Sequence, residues 1–240
     1  MSDTSGNPDR ETRILIAAGE LIARYGYDKT TIDDIARAAG ISKGAVYLHF
    51  RGKDELVETL ILREAELMLD DLMARLDADP QGVTIFNVYR YAVVTLLSRP
   101  LLKAMYANER HLYGDFSRRL RRLPIYNQAS AFSVDFVRQF QNAGLIRKEL
   151  PADTVAYLLL TLRVGLLFAD DFIPPDQAPT LDRVGDTMSE MLTRALSPEN
   201  IDDADREKGR AALVSLLEMG RELVRQQRAD RQQRTKGESS

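Results

Sequence analysis

The chain has 240 residues, with 33 basic and 36 acidic side chains, a formal net charge of −3, and no cysteine. Disulfides, thiol catalysis and cysteine-ligated zinc are therefore excluded, and the whole chain is not a nonspecific polycation. The length accommodates one large or two modest domains. The start, residues 1–9, is polar, lacks an apolar signal core and is expected to be disordered. The most apolar run, Val155–Ala169, contains Arg163 and is too short to span a bilayer. It reads as a buried helix, and the expected setting is cytoplasmic, with no membrane partner.

Ile14, Ala17, Ala18, Leu21, Ile22 and Tyr25 recur at helical spacing, and Gly26 ends that first helix. Thr30 or Thr31 can cap a second helix; Thr31 with Asp34 resembles a capping box, and the helix's apolar face is Ile32, Ile35, Ala36 and Ala39. Gly40 supplies the left-handed residue of a tight turn. Ile41 is expected to anchor that turn in the core, and Ser42 to cap a third helix. Val46 and Phe50 should face inward, with Lys43 and Tyr47 on an outward face and Ser42, Ala45 and His49 on the adjoining one. Between Arg37 and Lys53 there are four basic residues, Arg37, Lys43, Arg51 and Lys53, and no acidic one. A basic surface built on a helix-turn-helix points to the DNA major groove. Lys53 opens a fourth helix, where its charge opposes the dipole. Either a phosphate bound there removes that cost, or the lysine is solvated and offset by Asp54 and Glu55.

No strand-like alternation persists, so the expected fold is all-α. The fourth helix runs to about Asp77, and Pro80 and Gly82 break it. Helices follow near 83–98, 101–112, 124–143, 151–172 and 181–196, separated by proline and glycine. A last helix covers about 204–228, with Leu213, Leu216, Leu217, Gly220 and Val224 as its stripe; its arginines should face solvent, and the polar tail from Ala229 should be disordered.

Residues 10–56 resemble the DNA-binding domain of the TetR family of bacterial regulators. The matching stretches are Ile14–Gly26, Thr31–Gly40, the run Ile41-Ser42-Lys43-Gly44-Ala45-Val46-Tyr47-Leu48-His49-Phe50, and Lys53-Asp54-Glu55-Leu56. The resemblance implies an N-terminal three-helix DNA-binding domain (10–56), a helical ligand-binding and dimerisation domain (57–202), and, beyond the family's nine helices, an additional helix and polar tail (203–240). It implies a homodimer on a palindromic operator in double-stranded DNA that represses transcription and is released by a small molecule. It places Thr31, Tyr47, His49 and Lys53 at phosphate-contacting positions, and Ser42, Lys43, Gly44 and Ala45 where bases are read. For Ser42, a pure capping role stands beside base contact.

Other candidates follow from composition. Phe86, Tyr89, Tyr106, Tyr126, Phe132 and Phe136 supply aromatics that either line an effector pocket or form simple core. Arg163, in an apolar helix, either pairs with a carboxylate or holds a ligand acid. Val164, Phe168, Met188, Met191 and Leu192 are candidates for a dimer interface between the last two family-type helices. The arginines of 118–122 and the pair Asp170 and Asp171 read as solvated. No nucleotide-binding glycine loop, metal-ligand cluster or nucleophile–base signature occurs, so no enzyme, metal or cofactor is expected. An architectural or cell-division DNA-binding protein acting through a protein partner is the alternative function. The effector is expected to be apolar or amphipathic.

Overall fold

The structure is a computed structural model that describes residues 9–79, 83–106, 116, 118, 134–169, 172–174 and 176–237. Every regular element among them is an α-helix: α1 (Arg10–Tyr25), α2 (Ile32–Ala38), α3 (Lys43–Tyr47), α4 (Lys53–Ala78), α5 (Ile85–Leu97), α6 (Pro100–Tyr106), α7 (Val134–Asn142), α8 (Ala152–Leu167), α9 (Leu181–Leu196) and α10 (Asp203–Gly237). The chain divides into two compact units, one of residues 1–65, 100–123 and 226–240 and one of 66–99 and 124–225.

In the first unit, α1 buries Ile14, Leu15, Ala17, Ala18 and Ile22. Tyr25, expected on that stripe, is instead exposed, with the Arg24 guanidinium over its ring. The division falls inside α4, after Ala65, not at 56/57. The first turns of α4 bury Leu56, Val57, Leu60 and Ile61, and Leu60 runs beside Gly19 of α1. Leu101 of α6 meets the same glycine, so α6 belongs to this unit.

In the second unit, one apolar core joins Leu72 and Leu76 of α4, Val88, Tyr89 and Val93 of α5, Phe136 and Phe140 of α7, and Leu159 of α8. Leu213 and Leu217 of α10 complete it. The additional helix is therefore docked, and it is longer than the sequence suggested: residues 229–237, expected to be disordered, continue as helix. Arg210 and Arg221, expected to face solvent, reach Asp77 (2.5 Å) and Asp70 (2.6 Å) on α4. Gly209, one turn before Leu213, lets α10 close on the buried Leu145. A Cβ at Gly209 would stand 2.1 Å from a Leu145 methyl and 3.2 Å from its Cγ.

α8 corrects the expectation of a buried helix over 151–172. It ends at Leu167 and turns only one face inward, through Val155, Ala156, Leu159 and Arg163. Its other face leaves Tyr157, Leu158, Leu162 and Val164 in water.

Candidate nucleic-acid interface

Local chemistry shapes the segment from Thr31 to Phe50. Thr31 caps α2: its hydroxyl accepts from the Asp34 amide (3.2 Å), while the Asp34 carboxylate accepts from the Thr31 amide (3.2 Å) and hydroxyl (2.6 Å). The expected capping box is complete. The Thr31 side chain, then the Thr31 amide, hold the Asp34 carboxyl below the usual range. α2 ends in a Schellman arrangement, in which the Ile41 amide donates to Ala36 (3.0 Å) and the Gly40 amide to Arg37 (3.2 Å). That closure requires a left-handed residue, and Gly40 provides it at φ 68°. Ile41 itself is only half-buried. The Ser42 hydroxyl then accepts from the Ala45 amide (3.1 Å) and caps α3.

Val46 and Phe50 face inward, as their spacing requires. Ser42, Lys43, Gly44 and Tyr47 are exposed, and Ala45 and His49 half-buried, so six of the eight candidate DNA contacts share the surface of one short helix and its end. Thr31 stands exposed at the start of α2. Asp9 caps the start of α1 by accepting from the Thr12 amide (2.7 Å), and that hydrogen bond holds its carboxyl below the usual range.

Two lysines have partners that the sequence did not indicate. The Lys43 ammonium donates to Asp33 at 2.8 Å, and this pairing raises its pKa, first through the hydrogen bond and then through the charge. Both side chains are more than half exposed, so the pair is weak and exchangeable for a base edge. Lys53 turns inward. Its ammonium donates to the carbonyls of Tyr27 (2.8 Å) and Thr30 (3.0 Å) and sits 4.0 Å from the centre of the Tyr27 ring. The Tyr27 hydroxyl donates to Asp54, and its ring stacks on Phe116 at 4.6 Å and 7°. The lysine at the start of α4 thus rests on two carbonyls, an arrangement that neither a phosphate nor bulk water was needed to supply. The sequence missed it because Tyr27 lies 26 positions away.

The described residues contain no long apolar helix able to cross a membrane and no cluster of three or more potential metal ligands.

Residues 14–60, which span α1 to α3 and the first turns of α4, match the family model of bacterial regulatory proteins of the tetR family. That region therefore carries the N-terminal DNA-binding module of bacterial regulatory proteins of the tetR family. The chain is 28% identical over 185 residues to the HTH-type transcriptional repressor Rv1474c of Mycobacterium tuberculosis, covering 73% of the chain and 90% of that relative. It is 45% identical over 73 residues to the HTH-type transcriptional repressor KstR2 of Rhodococcus jostii, but over only 30% of the chain and 34% of that protein. The fold resembles that of FadR from Bacillus subtilis, solved in complex with stearoyl-CoA, with a TM-score of 0.57 and 17% identity over 76% of the chain and 97% of FadR.

The candidates in the second unit separate in the structure. Tyr89 is buried, donates to the Leu159 carbonyl (3.3 Å) and, with Arg90, Val93, Leu166, Val184 and Met188, lines a small recess between α5, α8 and α9. Burial pushes the Tyr89 phenol well above its ordinary pKa, against the opposing charge of the buried Arg163. Arg90, at the rim of the recess, pairs with Asp186 at 2.9 Å. Phe136 packs on Phe140, ring centres 4.3 Å apart, inside the core. Phe86 is half-buried. Tyr126, Phe132, Asp170, Asp171, Arg119, Arg121, Arg122 and the side chain of Tyr106 lie outside the described residues.

Among the interface candidates, Leu192 is a correction: it is 8% exposed and belongs to the core, because α9 turns that side toward α5. Met188 packs against the same core and lines the recess. Phe168 is half-buried, and Val164 and Met191 are exposed.

Proposed function

We propose that the chain is a cytoplasmic TetR-family repressor that binds a palindromic operator as a homodimer through α3 and is released by a small amphipathic molecule held in its second unit. One observation carries the DNA-binding part: a capped helix-turn-helix whose outward surface, from Ser42 to His49, contains no acid. Phosphate attraction and base readout need such a surface. The bare face of α8, with Tyr157, Leu158 and Leu162, and the exposed Met191 of α9 support a two-fold interface, since apolar area of this kind is retained when a second copy covers it. The stearoyl-CoA in FadR supports an acyl chain with a polar head as the effector class.

The test is selection of duplexes by the full-length protein from a randomised pool, followed by titration at several salt concentrations. The expected result is a two-fold symmetric consensus and an affinity that falls steeply with salt. Acyl-CoAs should then raise the melting temperature and weaken operator binding together, as linkage requires. Enrichment of no sequence would overturn the DNA-binding reading. A protein that binds DNA without preference and only with a protein partner would favour the architectural alternative.

A further inference from the structure

On the recognition surface, Leu48 is 78% exposed. A leucine in water is ordinary by itself; the position of this one is not. The backbone stays helical past the formal end of α3, with the Leu48 amide donating to Gly44 (3.2 Å) and the Phe50 amide to Val46 (3.0 Å). At about 100° per residue, Leu48 points roughly 200° away from Val46 and 160° away from Phe50. Those two are the buried side chains of this segment, so Leu48 stands opposite the core. One turn earlier on the same line is Gly44, which has no side chain, and a Cβ there would meet only the Ser42 hydroxyl, at 3.9 Å. Lys43 leans toward Asp33 on α2, and Tyr47 and Ala45 flank the line. Leu48 therefore projects from the acid-free face between Tyr47 and Ala45.

We infer that Leu48 is a specificity-determining residue that reads the methyl group of a thymine in each operator half-site. The inference rests on the DNA-binding reading above. An uncharged branched side chain gains nothing from a phosphate and cannot donate to a base edge. The partner in the major groove that matches it is the thymine C5 methyl, the one apolar group displayed there. The bare backbone at Gly44 lets the helix approach closely enough for that contact.

The experiment uses the full-length wild-type protein and the duplex it selects from a randomised pool. Each thymine of a half-site is replaced in turn by deoxyuridine, which removes only the methyl, and binding is followed by fluorescence anisotropy. At one thymine per half-site the replacement should weaken wild-type binding about fourfold, the value of one buried methyl-sized group. Leu48→Ala, which changes both protomers, should lose about fourfold per half-site on the thymine duplex, roughly 15-fold in all, show no further loss with deoxyuridine at that position, and keep the salt slope of the wild type, because no charge is removed. Reselection with Leu48→Ala should relax the preference for thymine there. Wild-type binding that ignores deoxyuridine at every position overturns the inference while leaving the DNA-binding reading intact. So does a deoxyuridine effect that persists undiminished in Leu48→Ala. A wild-type protein that enriches no sequence overturns both.

Discussion

The turns between Thr31 and Phe50 are closed by partners three to five positions away, whereas α10 is held by partners far along the chain. Thr31 meets Asp34, Ile41 meets Ala36, and Ser42 meets Ala45. Arg210 reaches Asp77 across 133 positions and Arg221 reaches Asp70 across 151. The first region carries its geometry in its own spacing, and its outward face is left to the chemistry of a partner. The second takes its geometry from the assembled core and leaves one face of α8 exposed, with Tyr157, Leu158 and Leu162 in water. A substitution in the first region should therefore act locally and change DNA recognition. One in the second should act on assembly or on global stability while base preference survives.

The largest expected effect tests that separation through the bare face of the second unit. Leu158→Glu or Met191→Glu, at residues 54% and 64% exposed, should leave the fold intact and give monomers in sedimentation. Operator affinity should fall roughly 10²–10⁴-fold, the advantage a linked second half-site provides. Leu192→Glu should act differently, because it places a charge in the core: the melting transition should collapse before any loss of dimer is resolved. Dimers that persist in Leu158→Glu and Met191→Glu would show that this face is not the interface.

A smaller effect is expected where α10 closes on Leu145. Gly209→Leu must displace a buried neighbour, and overpacking of this kind costs about 1–3 kcal/mol, or roughly 2–10 °C in melting temperature for a chain of this size. Gly220→Ala is the control on the same helix. Its Cβ would meet Leu69 at an ordinary 3.6 Å, so better helix propensity should leave stability equal or raised by up to about 1 kcal/mol. Base preference in selection should be the same for both. Equal melting temperatures for Gly209→Leu and the wild type would mean that α10 is not seated on Leu145.

The same contrast explains what could be read from the sequence. The capping box, the Gly40 turn, the Ser42 cap and the inward pair Val46 and Phe50 were legible because each is a rule about neighbours. So was the all-α class, from periodicity. What failed depended on distance. The apolar stripe of α10 was visible, but nothing local showed that Gly209 would let it close on Leu145 or that Arg210 and Arg221 would find aspartates on α4. Leu192 fits a stripe on α9 equally well facing inward or outward, and packing against α5 decides the matter. Lys53 was read against its own helix dipole, while its partners Tyr27 and Thr30 lie in the connection between α1 and α2. Leu48 is legible in the sequence only as Gly44 plus four, a position whose charged neighbours give the stronger signal.

The smallest expected effect belongs to the Thr31 cap, where the first region should respond locally and with a pH signature. Thr31→Ala removes the hydroxyl that accepts from the Asp34 amide, and loss of such a cap costs about 1 kcal/mol. The same hydroxyl donates to the Asp34 carboxylate and is the leading cause of its lowered pKa. A carboxyl whose folded pKa lies below its unfolded value contributes stability that is fully present above the unfolded value. That contribution is lost as the pH falls through the folded one. The stability difference between wild type and Thr31→Ala should therefore be largest near neutral pH and shrink once the solution is acid enough to protonate Asp34 in the folded protein. Denaturation of both proteins across that range, with the Asp34 carboxyl followed by NMR, checks the sign. A difference that is constant with pH would assign the whole effect to the backbone cap and none to the carboxylate.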